Sequence, residues 1–421
     1  MMVYVLSHTG QPLMPTEDYR KVRILLKQHK AKVLQRTPFT IKLLHYTHEY
    51  KQPVSLGVDA GSKVIGLSAT TEQKELFASE VILRDDIVKL LSVRREFRRA
   101  RRNRKTRYRA PRFNNRVHSK NKGWLAPSIE NKISVHLKTV RNVCRILPIT
   151  NIVAEVAAFD TQMLRAKELS LPLPEGVDYQ QGEQLYAYNV REYVLFRDNH
   201  TCQHCKGKSK DPVLQVHHIE SREVGGNAPN NLIALCKTCH AKYHAGLIKD
   251  LKVKRGASFR DAAFMGIMRW AFYDRLKTIY PNVSMTFGYI TKHTRIEHNL
   301  EKKHCVDARC ISGHPDALPT ENFYLQKAVR KKNRQLHKAT INKGGIRKSN
   351  QSPKYVYGFQ LFDKVLYDNK ECFIFGRRAS GYFDIRMLDG TKLSASVSYK
   401  KLKLLERRKT ILMQQVEDFA A

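Results

Sequence analysis

Two Cys-x2-Cys knuckles, Cys202/Cys205 and Cys236/Cys239, constrain this 421-residue chain more than any other feature. Zinc takes four soft ligands in a tetrahedron, and two turns offering two thiolates each, about thirty residues apart, supply them. Four cysteines alone also suit a zinc ribbon that only folds a small domain. Between the knuckles lie His217-His218 and Asn231, and His240 follows directly after the second. His218 comes after Val213, Leu214 and Val216, which predicts the end of a β-strand, where a histidine can act as general base on a water. His244, four residues beyond His240, is expected to be structural, as lone histidines usually are.

The order His218, Asn231, His240 resembles that of HNH endonucleases, in which a ββα unit holds one divalent cation against the scissile phosphate. The resemblance implies His218 as base, Asn231 as the brace of the loop and His240 as a ligand of one Mg²⁺. His217 occupies the position where many such sites carry aspartate and is taken as a second ligand. Nitrogen donors favour softer ions than Mg²⁺.

Composition narrows the partner. Lys and Arg number 76 against 38 Asp and Glu, a formal charge of +38, which fits a chain that binds polyanions. No apolar run reaches the roughly eighteen residues of a spanning helix, and no basic amphipathic helix with a broad Leu or Trp face is present, so no membrane partner is expected. Met1 to Leu6 lacks the basic start and cleavage site of a secretory signal. A cytoplasmic protein, nucleoid-associated when on DNA, is expected, with reduced thiols. Cys144, Cys305, Cys310 and Cys372 then read as buried or incidental, not as disulfides. The length leaves room for several domains.

The densest charge runs from Arg94 to Arg116, where twelve of 23 residues are basic and only Glu96 is acidic. Asp85-Asp86 can cap a helix there, and Leu90, Val93, Phe97 and Ala100 give it a narrow apolar stripe. A solvated charge run is the ordinary reading of such a stretch. Eleven arginines to one lysine favour nucleic acid, because guanidinium binds phosphate bidentately and stacks on bases. RNA is the expected ligand of Arg94, Arg95, Arg98, Arg99, Arg101, Arg102, Arg104, Arg107 and Arg109.

Acids recur in apolar surroundings. Ser55 to Thr70 reads as strand, glycine turn and strand, with Asp59 near the end of the first; Glu155 lies within the apolar run Asn151 to Phe159. A carboxylate in such a strand is costly unless it holds a cation. His304 and Asp307, three residues apart, share one face of a predicted helix. Each signal alone is weak.

Three acids in the order Asp, Glu, Asp, from two strands and a helix, resemble the RuvC-like branch of the RNase H fold. That resemblance implies Asp59, Glu155 and Asp307 as ligands of two Mg²⁺ ions, which suit phosphodiester hydrolysis, and His304 as an aid to water activation. A split RuvC, an arginine-rich bridge helix after its first segment and HNH between its second and third resemble type II CRISPR effector nucleases, but only about forty residues separate the helix from Glu155, so no large α-helical lobe fits. Gln11-Pro12-Leu13-Met14-Pro15 and the R-R-x-x-R-R run at Arg94 to Arg99 resemble IscB, the compact transposon-encoded relatives of those effectors. The resemblance is specific over residues 1–315 and weaker beyond. It implies a monomeric protein in a ribonucleoprotein with a noncoding guide RNA, cleaving double-stranded DNA: HNH on the guide-paired strand, RuvC on the displaced one.

The expected fold is multidomain α/β: an RNase H-like core in three segments, an inserted HNH domain with zinc knuckles and a β-rich carboxy-terminal domain. Its division is 1–52 for a P-L-M-P domain, 53–84 for RuvC-like segment I, 85–124 for the bridge helix, 125–170 for segment II, 171–254 for HNH with its linkers, 255–320 for segment III, and 321–421 for a basic connector and a motif-reading domain. Helices are expected up to about Lys32, around Ile133, Leu137 and Val140, and from Ser258 to Tyr280. Carboxy-terminal strands at Tyr355 to Leu361, Cys372 to Arg377, Tyr382 to Met387 and Lys392 to Val397 suggest a small barrel, with Tyr399, Lys400 and Lys401 as candidate DNA contacts. Linkers are expected at 170–181 and 249–258. A stand-alone HNH homing or restriction-type endonuclease would explain the zinc and the charge but not the three acids. A non-catalytic RNA-binding transposition accessory would explain the arginines but neither metal site.

Overall fold

The computed structural model describes residues 2–103, 124–156, 194–195, 198–220, 231–248, 260–331, 343–345 and 353–416. Arg104, Arg107, Arg109 and the two expected linkers lie outside them. The chain divides into two compact units: Met1–Arg112 with Pro127–Ala158 and Arg269–Ala421, and Phe113–Ala126 with Phe159–Met268. No helix among the described residues is long and apolar enough to cross a membrane.

The larger unit opens with a three-stranded sheet, order β1-β3-β2, from β1 (Tyr4–Leu6), β2 (Ala31–Gln35) and β3 (Thr40–Leu43). Helix α1 (Tyr19–Lys27) starts at Asp18, whose carboxylate accepts the Lys21 amide at 2.8 Å. It stops short of the expected Lys32: His29 turns into the left-handed region (φ 55°) and β2 begins at Ala31. The P-L-M-P segment runs back beside β1, with the Leu13 amide donating to the Val5 carbonyl at 2.9 Å.

Next come β4 (Ser55–Asp59), β5 (Val64–Thr70) and β6 (Glu75–Ile82), an antiparallel run almost wholly buried, mostly apolar but with Glu75 and Glu80 in β6. Helix α2 (Ile87–Asn103) follows; Val93 and Phe97 are half-buried while Arg94, Arg95, Arg98 and Arg99 are exposed. The carboxylate of Asp86, expected as a cap, is held by Arg84 at 2.9 and 3.0 Å. Helix α3 (Pro127–Cys144) buries Ile129, Ile133, Val140 and Val143 at helical spacing, with Leu137 half-buried. Strand β7 (Asn151–Val156) then pairs parallel with β4.

The smaller unit contributes β8 (Leu214–His218) and β9 (Leu232–Cys236), an antiparallel pair, followed at once by helix α4 (Lys237–His244). This is a ββα arrangement.

Helix α5 (Arg260–Ile279) buries Met268, Phe272 and Leu276, spaced four apart; Arg275 clamps Glu130 of α3 at 2.6 and 2.7 Å. Strand β10 (Val283–Phe287), α6 (Gly288–Glu297), α7 (His304–Ile311) and β11 (Phe323–Ala328) follow. The carboxy-terminal strands are β12 (Lys364–Tyr367), β13 (Lys370–Arg377), β14 (Tyr382–Arg386), β15 (Lys392–Ser398), β16 (Lys403–Glu406) and β17 (Ile411–Val416).

One seven-stranded sheet, order β10-β7-β4-β5-β6-β11-β17, forms the core of the larger unit. Thus segment 321–421 lends its first and last strands to this sheet. The other five form an antiparallel sheet, order β15-β14-β13-β12-β16. The expected barrel is not closed, since β15 and β16 do not pair among the described residues. Nor is Tyr355 to Leu361 a strand: Tyr357 (φ 47°) and Gly358 (φ 81°) turn the chain, and Val356 bridges Phe359.

Candidate active sites

Each unit carries one constellation of functional groups. In the larger, Asp59 ends β4 and Glu155 lies in β7. The parallel register pairs Val58 with Ala154, so one step on Asp59 stands beside Glu155 on the same face. They are 6% and 8% exposed. Helix α7 lies across β4 and β5 and brings His304 and Asp307 to this face. Two glycines allow it to sit there: a Cβ at Gly57 would lie 1.8 Å from the Ala308 carbonyl oxygen, and one at Gly66 would lie 1.9 Å from that of His304. Gly66 is the partner of Asp59 across β4 and β5.

His304 Nδ1 bonds Asp59 Oδ2 at 2.6 Å, and this contact raises the imidazole pKa. Arg269 of α5 holds Glu155 at 3.0 Å, and Arg295 of α6 holds Asp307 at 3.0 Å. Burial raises the pKa of Glu155, opposed by Arg269 and reinforced by Asp59 and Asp307. Burial likewise raises that of Asp307, with Asp59 adding to it and Arg295 opposing. The three acids therefore sense one another's charge. Among the described residues, groups of three or more ligand atoms within 4.8 Å of one another occur only in the smaller unit.

Arg269, Arg295 and Glu80 carry no signal in the sequence that marks them as site residues. Glu80 of β6 is the register partner of Gly66, and its Oε1 accepts the amides of His304 at 2.9 Å and Cys305 at 3.4 Å. It thereby caps α7, for which Lys303 supplies no side-chain cap.

In the smaller unit the sulfurs of Cys202, Cys205, Cys236 and Cys239 lie within 4.8 Å of one another, a donor set that fits zinc. Cys236 also caps α4 through the Cys239 amide, and Asp211 accepts the Thr238 amide at 2.8 Å and its hydroxyl at 2.6 Å. His217 points from β8 to α4, where it meets His240 and also His244, all within 4.8 Å. His244, expected to be a surface or core residue, is exposed; one turn after His240 it lies on the same helix face, and its Nε2 is 3.2 Å from that of His240, which makes it a further candidate ligand. Burial lowers the His217 pKa to about 4, with its histidine neighbours adding to the effect, and burial lowers that of His240 too. Neutral imidazoles are competent ligands. Among the described residues, the Nε2 of His217 is buried without a hydrogen-bond partner, which leaves it open to a cation.

His218, next in β8, alternates to the other side of the strand and is outside that cluster. Asn231 is fully buried; its side chain donates to the Glu220 carbonyl at 3.0 Å and accepts the Glu220 amide at 2.8 Å, tying the chain beyond His218 to the start of β9.

Residues 3–182 match the family model described as RRXRR protein, and residues 202–246 the model described as HNH endonuclease. No curated protein matches the chain. A solved structure of Streptococcus thermophilus Cas9 in complex with the GGAA PAM is similar at 14% identity and a TM-score of 0.27, over 53% of this chain and 31% of that one. The chain spans under a third of that protein's length. The two family models support a nuclease with an HNH endonuclease domain behind an RRXRR region.

Proposed function

We propose that this chain is an RNA-guided DNA endonuclease of the Cas9/IscB-like kind, and specifically IscB-like, with two nuclease sites. The observation that carries this is the coexistence of an HNH donor set in one unit with an acid constellation in the other, the latter in the same unit as a helix of exposed arginines. The strand order of the core sheet, an antiparallel β4-β5-β6 run flanked by parallel β7 and β10, is that of an RNase H-like fold and supports the RuvC-like reading.

In the smaller unit His218 takes a proton from the attacking water and Asn231 holds the following chain so that the base keeps its place. His217 and His240, joined by His244, would hold one divalent cation, and three imidazole nitrogens favour a borderline ion over Mg²⁺. In the larger unit Asp59, Glu155 and Asp307 offer hard oxygens that fit Mg²⁺, and His304, oriented by Asp59, is placed to accept a proton. Bound cations at these sites would stabilise the charge that develops on the phosphate. Arg269 and Arg295 pair with Glu155 and Asp307. The exposed arginines of α2 grip the RNA, and HNH cuts the strand that pairs with it.

Two measurements test this. Protein purified from cells should carry a discrete RNA with one variable end; active protein free of RNA overturns the guided reading. On a plasmid bearing the matching target, Asp59→Ala should leave a nick in the guide-paired strand and His218→Ala a nick in the other, and either variant still cutting both strands overturns the two-site assignment.

A further inference from the structure

The larger unit contains a cavity of about 300 Å³ that neither donor set uses. Helix α3, the end of β2 and the segment leading into β17 surround it. Phe77, Phe373 and Ile411 form an apolar floor, and Lys138, Arg145, Lys364, Arg407, Arg408 and Lys409 outnumber the one acid, Glu406. Some of this charge is answered: Lys364 meets Glu371, Arg407 bonds Asp363 at 3.0 Å and Lys409 approaches Glu406 at 3.8 Å. Lys138, Arg145 and Arg408 have no carboxylate at ion-pair distance among the described residues. The Lys138 ammonium donates to the Thr410 hydroxyl and the Arg408 guanidinium to the Arg330 carbonyl, both uncharged acceptors. Burial lowers the pKa of Lys138, and Arg145 lowers it further; burial lowers that of Arg408, opposed by Asp363 and reinforced by Arg330 and Arg377.

Cations crowded around a partly enclosed, apolar-floored space are mutually repulsive unless an anion sits among them. The space is too small for a duplex and large enough for one phosphate with its sugar. The standing polyanion of the proposed function is its RNA. We propose that this cavity seats a backbone phosphate of a single-stranded stretch of that RNA, with Lys138 and Arg145 as the contacts. This rests on the guided-nuclease reading and extends it to a place where the RNA is held outside α2.

The test compares RNA binding by the full chain and by Lys138→Gln/Arg145→Gln across salt concentrations. Each phosphate neutralised on a single strand contributes about 0.7 to the slope of log K against log salt, so the double variant, which frees that one phosphate, should lose about 0.7 of the slope with an unchanged melting temperature. Lys138→Arg/Arg145→Lys, which keeps both charges, should retain it. An unchanged slope in the Gln variant, while wild type binds RNA, overturns this inference and leaves the proposed function standing. A wild-type protein that binds no RNA overturns both. If adenosine monophosphate binds the wild type and not the Gln variant, yet the RNA slopes agree, the cavity is a small-anion site and the inference fails.

Discussion

Glu80 belongs to no pattern along the chain, yet it fixes the first turn of the helix that carries His304 and Asp307. A carboxylate accepting two amides at a helix start also favours the helix dipole. Glu80→Ala should let that turn shift and weaken cutting of the displaced strand, roughly tenfold or more given the sensitivity of catalysis to small misplacements, with the guide-paired strand cut as before. Glu80→Gln, which keeps an acceptor, should recover most of the loss. Equal loss on both strands in the plasmid assay would rule out a local positioning role. At this scale the sequence is legible where donors repeat at fixed spacing, as in Cys202/Cys205 and Cys236/Cys239. It is not where a partner comes from a distant element. His244 becomes a candidate ligand only once β8 is seen to aim His217 at α4, and Arg269 and Arg295 are ordinary helix residues until they meet Glu155 and Asp307.

Among the elements, the contact of α7 with β4 and β5 depends on the absence of two side chains. A methyl group at Gly57 would meet the Ala308 carbonyl at a separation no packed atoms adopt, so Gly57→Ala must push α7 off the sheet. Overpacking of this kind costs about 1–3 kcal/mol, and the expected result is a lower melting temperature together with loss of displaced-strand cutting. A variant that melts and cuts like wild type would show that α7 tolerates the displacement. The apolar runs of β4 and β7 and the helical spacing of α3 and α5 are readable without a structure, because burial on both faces or on one stripe writes itself into the sequence. The turn at Tyr355 to Leu361 is not, since aromatic residues with strand propensity are bent there by left-handed backbone at Tyr357 and Gly358.

At the scale of the whole molecule, the two units have separate cores, and the smaller one is framed by four cysteines. Structural zinc in small domains contributes on the order of 10–16 kcal/mol of folding energy. Removing zinc with a chelator and restoring Mg²⁺ should abolish one calorimetric transition and cutting of the guide-paired strand, while the other transition and displaced-strand nicking persist. Loss of both transitions together would mean that the units do not fold independently.

The parallel pairing of β6 with β11, which sets Ala78 beside Phe323, has a consequence during synthesis. A ribosome must make the whole intervening chain, the smaller unit included, before the central sheet can add its sixth strand, and loop closure over such a separation is slow. Asp59 and Glu155 emerge early, but α7 with Asp307 emerges late. On the guided-nuclease reading, a nascent chain displays its arginine helix, and collects RNA, before α7 completes the acid constellation.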